Sequence, residues 1–201
     1  MGRRDENKED KRRRLEAAAV EAFLEHGFAG ASIEQIVAGA DVARGTFYLY
    51  FPEKEAIFAA LVDRLLTPLV EAVKEARDAL ARCEDTPSTF PIYAALGLQV
   101  TEILGSQTEL VRLYLAEARG AGQSGVIVRE RSVPLELLVR EILDDAVRRG
   151  LLRSHDTAIA THAILGAIER VAMQILGGDR NVELGRAPAE IIVLFRQGLA
   201  P

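Results

Sequence analysis

The chain has 201 residues, long enough for one large domain or two small ones sharing a helix. Hydrophobic residues make up 49% and aromatics only 5%, with no Trp, a balance that favours helices around an Ala, Leu, Val and Ile core. A single cysteine, Cys83, excludes an internal disulfide, and a net charge of −5 excludes a broad electropositive surface. No basic segment followed by an apolar stretch opens the sequence, so a reducing cytoplasm is the expected compartment.

Residues 1–10 are charged and lack periodicity, and are expected to form a disordered arm. A basic run, Lys11 to Arg14, leads into a first helix whose Leu15, Ala18, Ala19, Ala22, Phe23 and His26 recur at helical spacing, with Gly27 as a left-handed stop. A second, short helix follows, capped by Ser32, with Gln35 three residues on to complete a capping box and Ile33, Ile36 and Val37 as its apolar face. Gly39, Ala40 and Asp41 end it, Asp being one of the few residues besides glycine that tolerate a left-handed backbone.

The next helix, Ala43 to Tyr50, is too short to be stable alone and must be pinned by neighbours. At 100° per residue Phe47 and Phe51 fall on one face, while Gly45, Thr46, Tyr48 and Leu49 point elsewhere, with Arg44 and Tyr50 at the margins. Two helices, a tight turn and an open face of hydroxyls, aromatics and a cation describe a helix-turn-helix that enters the major groove. Gly45 fits because a missing side chain lets the DNA backbone approach. The rival reading of a short Phe- and Tyr-bearing helix is a merely packed one.

From Lys54 an apolar series, Ile57, Leu61, Leu65, Leu69, Val73 and Leu80, predicts one long connecting helix, kinked or restarted at Pro68, before a loop over Asp85 to Ser88. Phe90 to Gly105 and Glu109 to Arg119 read as two more helices, the first apolar nearly all round and so expected to be buried. Gly120, Gly122 and Gly125 spell GxGxxG, but a helix and not a strand precedes them, so the segment reads as a flexible loop and not as a nucleotide site. Pro134 is placed in the first turn of a helix carrying Leu135, Leu138, Ile142 and Val147 to Gly150, Asp156 caps another that runs to Leu176, and Pro188 starts the last. His162, Glu169 and Arg170 interrupt the apolar character of the penultimate helix and speak against a membrane span.

The N-terminal third resembles the TetR family of transcriptional regulators at Arg14, Ala18, Ala19, Phe23, Gly27, Phe28, Ser32, Ile36, Val42, Gly45, Thr46, Tyr48, Phe51, Lys54 and Glu55. The resemblance implies an all-α fold of about nine helices. It divides the chain into a helix-turn-helix head over 11–66 and a helical ligand-binding and dimerisation domain over 67–201. It implies Thr46 and Arg44 near bases or phosphates, Tyr48 and Tyr50 on phosphates, and Lys54 with its helix N-terminus on a phosphate, so the expected DNA set is Ser32, Arg44, Gly45, Thr46, Tyr48, Leu49, Tyr50 and Lys54. Asp41, Ala43 and Leu49 depart from the family pattern, which mostly has Gly, often a capping Ser, and a polar or aromatic residue there. Leu49 could alter base preference through a thymine methyl.

In the family the last two helices pair with their copies in a partner, which points to Ala160, Ala163, Ala167, Val171, Ile191 and Phe195 as the dimer interface. Tyr93, Arg112, Tyr114, Glu117 and His162 are the candidate effector contacts, each equally readable as a core, surface or ion-pair residue. The expected partners are double-stranded DNA, a small apolar or amphipathic effector and a second copy, without a membrane, and the expected function is repression relieved by the effector. No cofactor is implied, and no catalytic or metal set occurs: His26, His155 and His162 stand apart, so an enzyme would need a site assembled wholly by the fold. An activator, a regulator controlled by a partner protein and a protein-interaction module remain as alternatives.

Overall fold

The computed structural model describes residues 3–178 and 187–199. Among them nine helices and no strands occur: α1 Arg3–Gly30, α2 Ile33–Gly39, α3 Arg44–Tyr48, α4 Lys54–Leu80, α5 Thr86–Ser106, α6 Thr108–Glu117, α7 Gln123–Arg148, α8 Thr157–Leu176 and α9 Ala187–Gly198. They form two compact units, one of residues 1–64 with 112–131 and the other of 65–111 with 132–201. Residues 112–131 thus join the head, whereas the sequence assigns everything after residue 66 to the second domain.

Helix α1 begins at Arg3, so the expected irregular arm is helical over residues 3–10. Arg, Lys and Glu are good helix formers, and i,i+3 and i,i+4 pairs such as Arg13 with Asp10 and Arg12 with Glu16 support the start. At its far end Gly27 takes φ 69° and ψ 165°, which breaks the helical path before one further turn closed by the Ala31 N–H on the Gly27 carbonyl, 3.1 Å. The first unit's core is aromatic. Phe23, Phe28 and Phe58 meet with ring centroids 5.0 to 5.6 Å apart, and Phe47 and Phe51 are buried beneath α3. Burial of each such ring contributes about 1.5–3 kcal/mol, which pins a five-residue helix that could not persist alone.

The second unit is held differently. Leu143, Ala146, Leu151, Leu152 and Ala160 form an aliphatic cluster, flanked by Val139, Val147, Ile164 and Leu199. Helices α5 and α9 cross where Gly97 faces Ala189: a Cβ on Gly97 would lie 2.6 Å from the Ala189 Cα. Arg149 donates to the carbonyls of Leu80, at 3.0 Å, and Cys83, satisfying orphan groups at the end of α4.

Several expectations about this region are corrected. Asp85 is the N-cap of α5 and accepts the Ser88 N–H, so the expected loop already belongs to the helix, and this backbone hydrogen bond holds the Asp85 carboxyl below its usual range. Helix α5 is not buried all round, since Phe90 and Leu98 are exposed. Pro134 sits inside α7, which starts eleven residues earlier because Ile127 and Val128 are buried there, and because Pro134 is exposed, water can serve the carbonyl it frees. Gly125 lies within α7, where a Cβ would run into the Gly120 carbonyl, so the GxGxxG segment is a tight turn under steric demand. By length and composition α8 is apolar enough to cross a membrane, at a mean hydropathy of 1.3, despite the polar residues noted above.

Candidate nucleic-acid interface

The helix-turn-helix is assembled from local signals. Ser32 caps α2, its hydroxyl accepting the Gln35 N–H at 3.2 Å while the Gln35 side chain accepts the Ser32 N–H at 2.8 Å. Ser32 is thereby occupied within the head. Asp41 takes the left-handed conformation, φ 49°, and Arg14 donates to both its carbonyl, 3.0 Å, and its carboxylate, 3.2 Å. That clamp explains how an acid stands where a glycine is common. Ala43 is the N-cap of α3 and offers no side-chain bond, so α3 depends on packing.

Helix α3 turns Phe47 fully inward and leaves Tyr48 46% and Leu49 79% exposed, with Arg44 and Gly45 open and Thr46 and Tyr50 half-buried. A Cβ on Gly45 would meet nothing within 4 Å, so intrachain packing does not require the glycine. Arg44 reaches the Tyr48 hydroxyl at 3.4 Å and Glu34 on α2 at 2.5 Å, and these two raise its pKa, the hydrogen bond to Tyr48 foremost. Both partners are exposed and their attraction is screened by water, so a phosphate can take Arg44 from Glu34 at small cost. Glu34 and the Arg14–Asp41 clamp were missed by the sequence reading; ten and twenty-seven residues separate the partners, so no local pattern announces them.

Lys54 is engaged within the head. Its ammonium donates to the Phe28 carbonyl at 2.7 Å and the Ala31 carbonyl at 2.8 Å and lies 4.6 Å from the Phe28 ring centroid, so two of its three donors hold the turn beyond Gly27. Glu117, a candidate effector contact, accepts the Phe28 N–H at 2.9 Å and the Ser124 hydroxyl at 2.5 Å. Of the other candidates, Arg112 and His162 are exposed, and Tyr93 and Tyr114 are half-buried. Tyr93 and His162 belong to the second unit, and Arg112, Tyr114 and Glu117 to the first.

Among the interface candidates, Ala160 faces the second unit's own aliphatic core, a correction set by its place in the helical period. Ala163 is exposed, and Ala167, Val171, Ile191 and Phe195 are half-buried.

Residues 15–61 match the model of the bacterial regulatory proteins of the tetR family. The head is a TetR-family DNA-binding domain. An uncharacterized HTH-type transcriptional regulator of Bacillus subtilis, YdgC, is 27% identical over 198 residues, covering 96% of this chain and 94% of its own. A second from the same organism, YvdT, is 46% identical over 57 residues, 28% of this chain and 29% of that protein. Among solved structures, FadR from Bacillus subtilis in complex with stearoyl-CoA superposes with a TM-score of 0.73 at 20% identity, covering 92% of this chain and 98% of that one. This TetR-family head is a DNA-binding helix-turn-helix, and its relatives are named as regulators, which points away from an enzyme.

Proposed function

We propose that the protein is a homodimeric repressor that leaves a pseudo-palindromic operator when a small, mostly apolar effector binds the helical domain, acting in the cytoplasm. The observation that carries the DNA half is the open edge of α3, where Arg44, Gly45, Tyr48 and Leu49 stand free of the core above buried Phe47. In this reading Tyr48, Tyr50 and Arg44 hold phosphates, while Thr46 and Leu49 meet base edges, Leu49 through a thymine methyl. Ser32 and Lys54 contribute by shaping the head.

An exposed strip on α8, Ile159, Ala163 and Gly166, together with Leu194 of α9, supports dimerisation, because small residues let a second copy approach closely and the apolar strip is exposed among the described residues. The apolar character of α5 supports an effector of low polarity, and FadR, of the same fold, is solved in complex with stearoyl-CoA. Two heads on a two-fold axis would read half-sites about 34 Å apart or a multiple of it.

The test starts with selection of duplexes from a random pool by the purified protein. Enrichment of an inverted repeat, a dimer in sedimentation, and monomers of weakened affinity for Ala163→Glu are expected; a monomeric wild type, or one that partitions into vesicles through α8, would refute the dimer. Stearoyl-CoA serves as the first effector probe, with loss of the mobility shift as the expected result.

A further inference from the structure

The last turn of α1, beyond Gly27, is gripped from two sides by charged side chains. Gly27 at φ 69° and ψ 165° takes the chain off the helical path, so the Phe28 N–H falls out of the α1 ladder and becomes an orphan donor. Glu117, the last residue of α6, supplies its acceptor at 2.9 Å. On the other side Lys54 binds the carbonyls of Phe28 and Ala31, so one short turn has its donor on a carboxylate and its acceptors on an ammonium. Both are charge-assisted hydrogen bonds in half-buried surroundings, about twice the strength of neutral ones.

The Glu117 carboxylate is itself held. Buried Ser124 donates to its other oxygen at 2.5 Å, and the Gly120 N–H closes a turn on the Glu117 carbonyl at 2.9 Å. Arg129 in turn donates to the Gly120 carbonyl at 3.2 Å. Gly125 of the GxGxxG segment serves this arrangement, since it leaves the space the Gly120 carbonyl occupies. Immediately after the gripped turn comes Ser32, the N-cap from which α2, and through the Arg14–Asp41 clamp α3, take their direction.

We propose that Glu117 is a positioning residue for DNA recognition: held by Ser124, its carboxylate fixes the Gly27–Ala31 turn and so sets the angle at which α2 and α3 are presented to the groove. It lies outside residues 15–61, eighty-nine residues from its partner Phe28. A misdirected recognition helix still meets phosphates but misaligns its base contacts. Loss of the grip therefore lowers the ratio of specific to non-specific affinity, because non-specific binding rests on charge and not on alignment.

The test uses the full-length protein, a duplex it has selected from a random pool, and a scrambled duplex of the same length, each measured well below the unfolding midpoint of every variant. Glu117→Ala is expected to lose hydrogen-exchange protection at the Phe28 amide and to lower the specific to non-specific ratio about tenfold, the scale of one lost charge-assisted hydrogen bond. Glu117→Gln, which keeps an acceptor oxygen, is expected to restore protection and ratio. Ser124→Ala, which frees the carboxylate without removing it, is expected to give a smaller drop and serves if Glu117→Ala does not fold. Ratios equal to wild type in Glu117→Ala or, where that variant does not fold, in Ser124→Ala overturn this inference alone, as does a parallel loss on both duplexes. A wild type that enriches no duplex overturns the DNA-binding reading with it.

Discussion

The head and the second unit solve the same problem, holding helices together, with opposite side chains. In the head, helices meet through rings: Phe23 and Phe28 of α1 with Phe58 of α4 in one group, and Phe47 of the short α3 with Phe51 in another. In the second unit long helices approach through absence of bulk, Gly97 against Ala189 and Ala160 within a Leu and Ala cluster. A short helix has few residues with which to bury area, so each must be large; a long one can afford small contacts and gain closeness. The first arrangement is intolerant of deletion and the second of addition.

Phe47→Ala breaks the comparison on the head side and carries the largest expected effect. Truncating a fully buried ring under a five-residue helix is expected to cost about 3–5 kcal/mol. Urea unfolding reads it, and a loss below 1 kcal/mol would show that α3 is not pinned as described.

Gly97→Val tests the opposite case. Its side chain would meet the backbone of Ala189, so overpacking of about 1–3 kcal/mol is expected, again by urea unfolding. Gly45→Ala sharpens the contrast, since a Cβ there meets nothing within 4 Å: it is expected to stabilise the free protein by up to about 1 kcal/mol through helix propensity while weakening operator binding. Unchanged DNA affinity would remove the close approach inferred for Gly45.

Arg44→Ala and Tyr48→Ala separate charge from contact at the head's open edge. Both are expected to weaken DNA binding, but only Arg44→Ala should reduce the slope of log affinity against log salt, by about one. Equal slopes in the two variants would place Arg44 away from phosphate.

The smallest effect belongs to the second unit. Asp145 bonds Arg148 at 2.6 Å and Arg149 at 3.1 Å, and Arg148 foremost holds its carboxyl below the usual range. A depressed folded pKa means stability present above the ordinary carboxylate value of about 4, and lost as pH falls from there through the folded value. Asp145→Asn should flatten that part of the stability profile against pH, measured by unfolding at pH 2 to 5, and leave stability near neutrality only slightly lower.

The capping box at Ser32 and Gln35, the left-handed Asp41 and the inward Phe47 and Phe51 were all legible, because each follows from partners within a few residues or from one helical period, whereas α4, expected to kink or restart at Pro68, runs from Lys54 to Leu80 with the proline inside it. Helix starts were less so: α7 begins at Gln123 and not near Pro134, since buried Ile127 and Val128 outweigh the proline's preference for a first turn. Local chemistry proposes an element, and burial decides how far it extends.

From the sequence alone came the all-helical class, the helix-turn-helix with its exposed Tyr48 and Leu49, and the family, for these rest on spacing that a chain carries wherever it folds. What tertiary structure decided is which charges are spoken for. Lys54 and Glu117 read as phosphate and effector contacts because an exposed ion and a structural one look alike in sequence. Only when the fold brings them to the turn at Phe28, across twenty-six and eighty-nine residues, do an orphan N–H and its neighbouring carbonyls claim them.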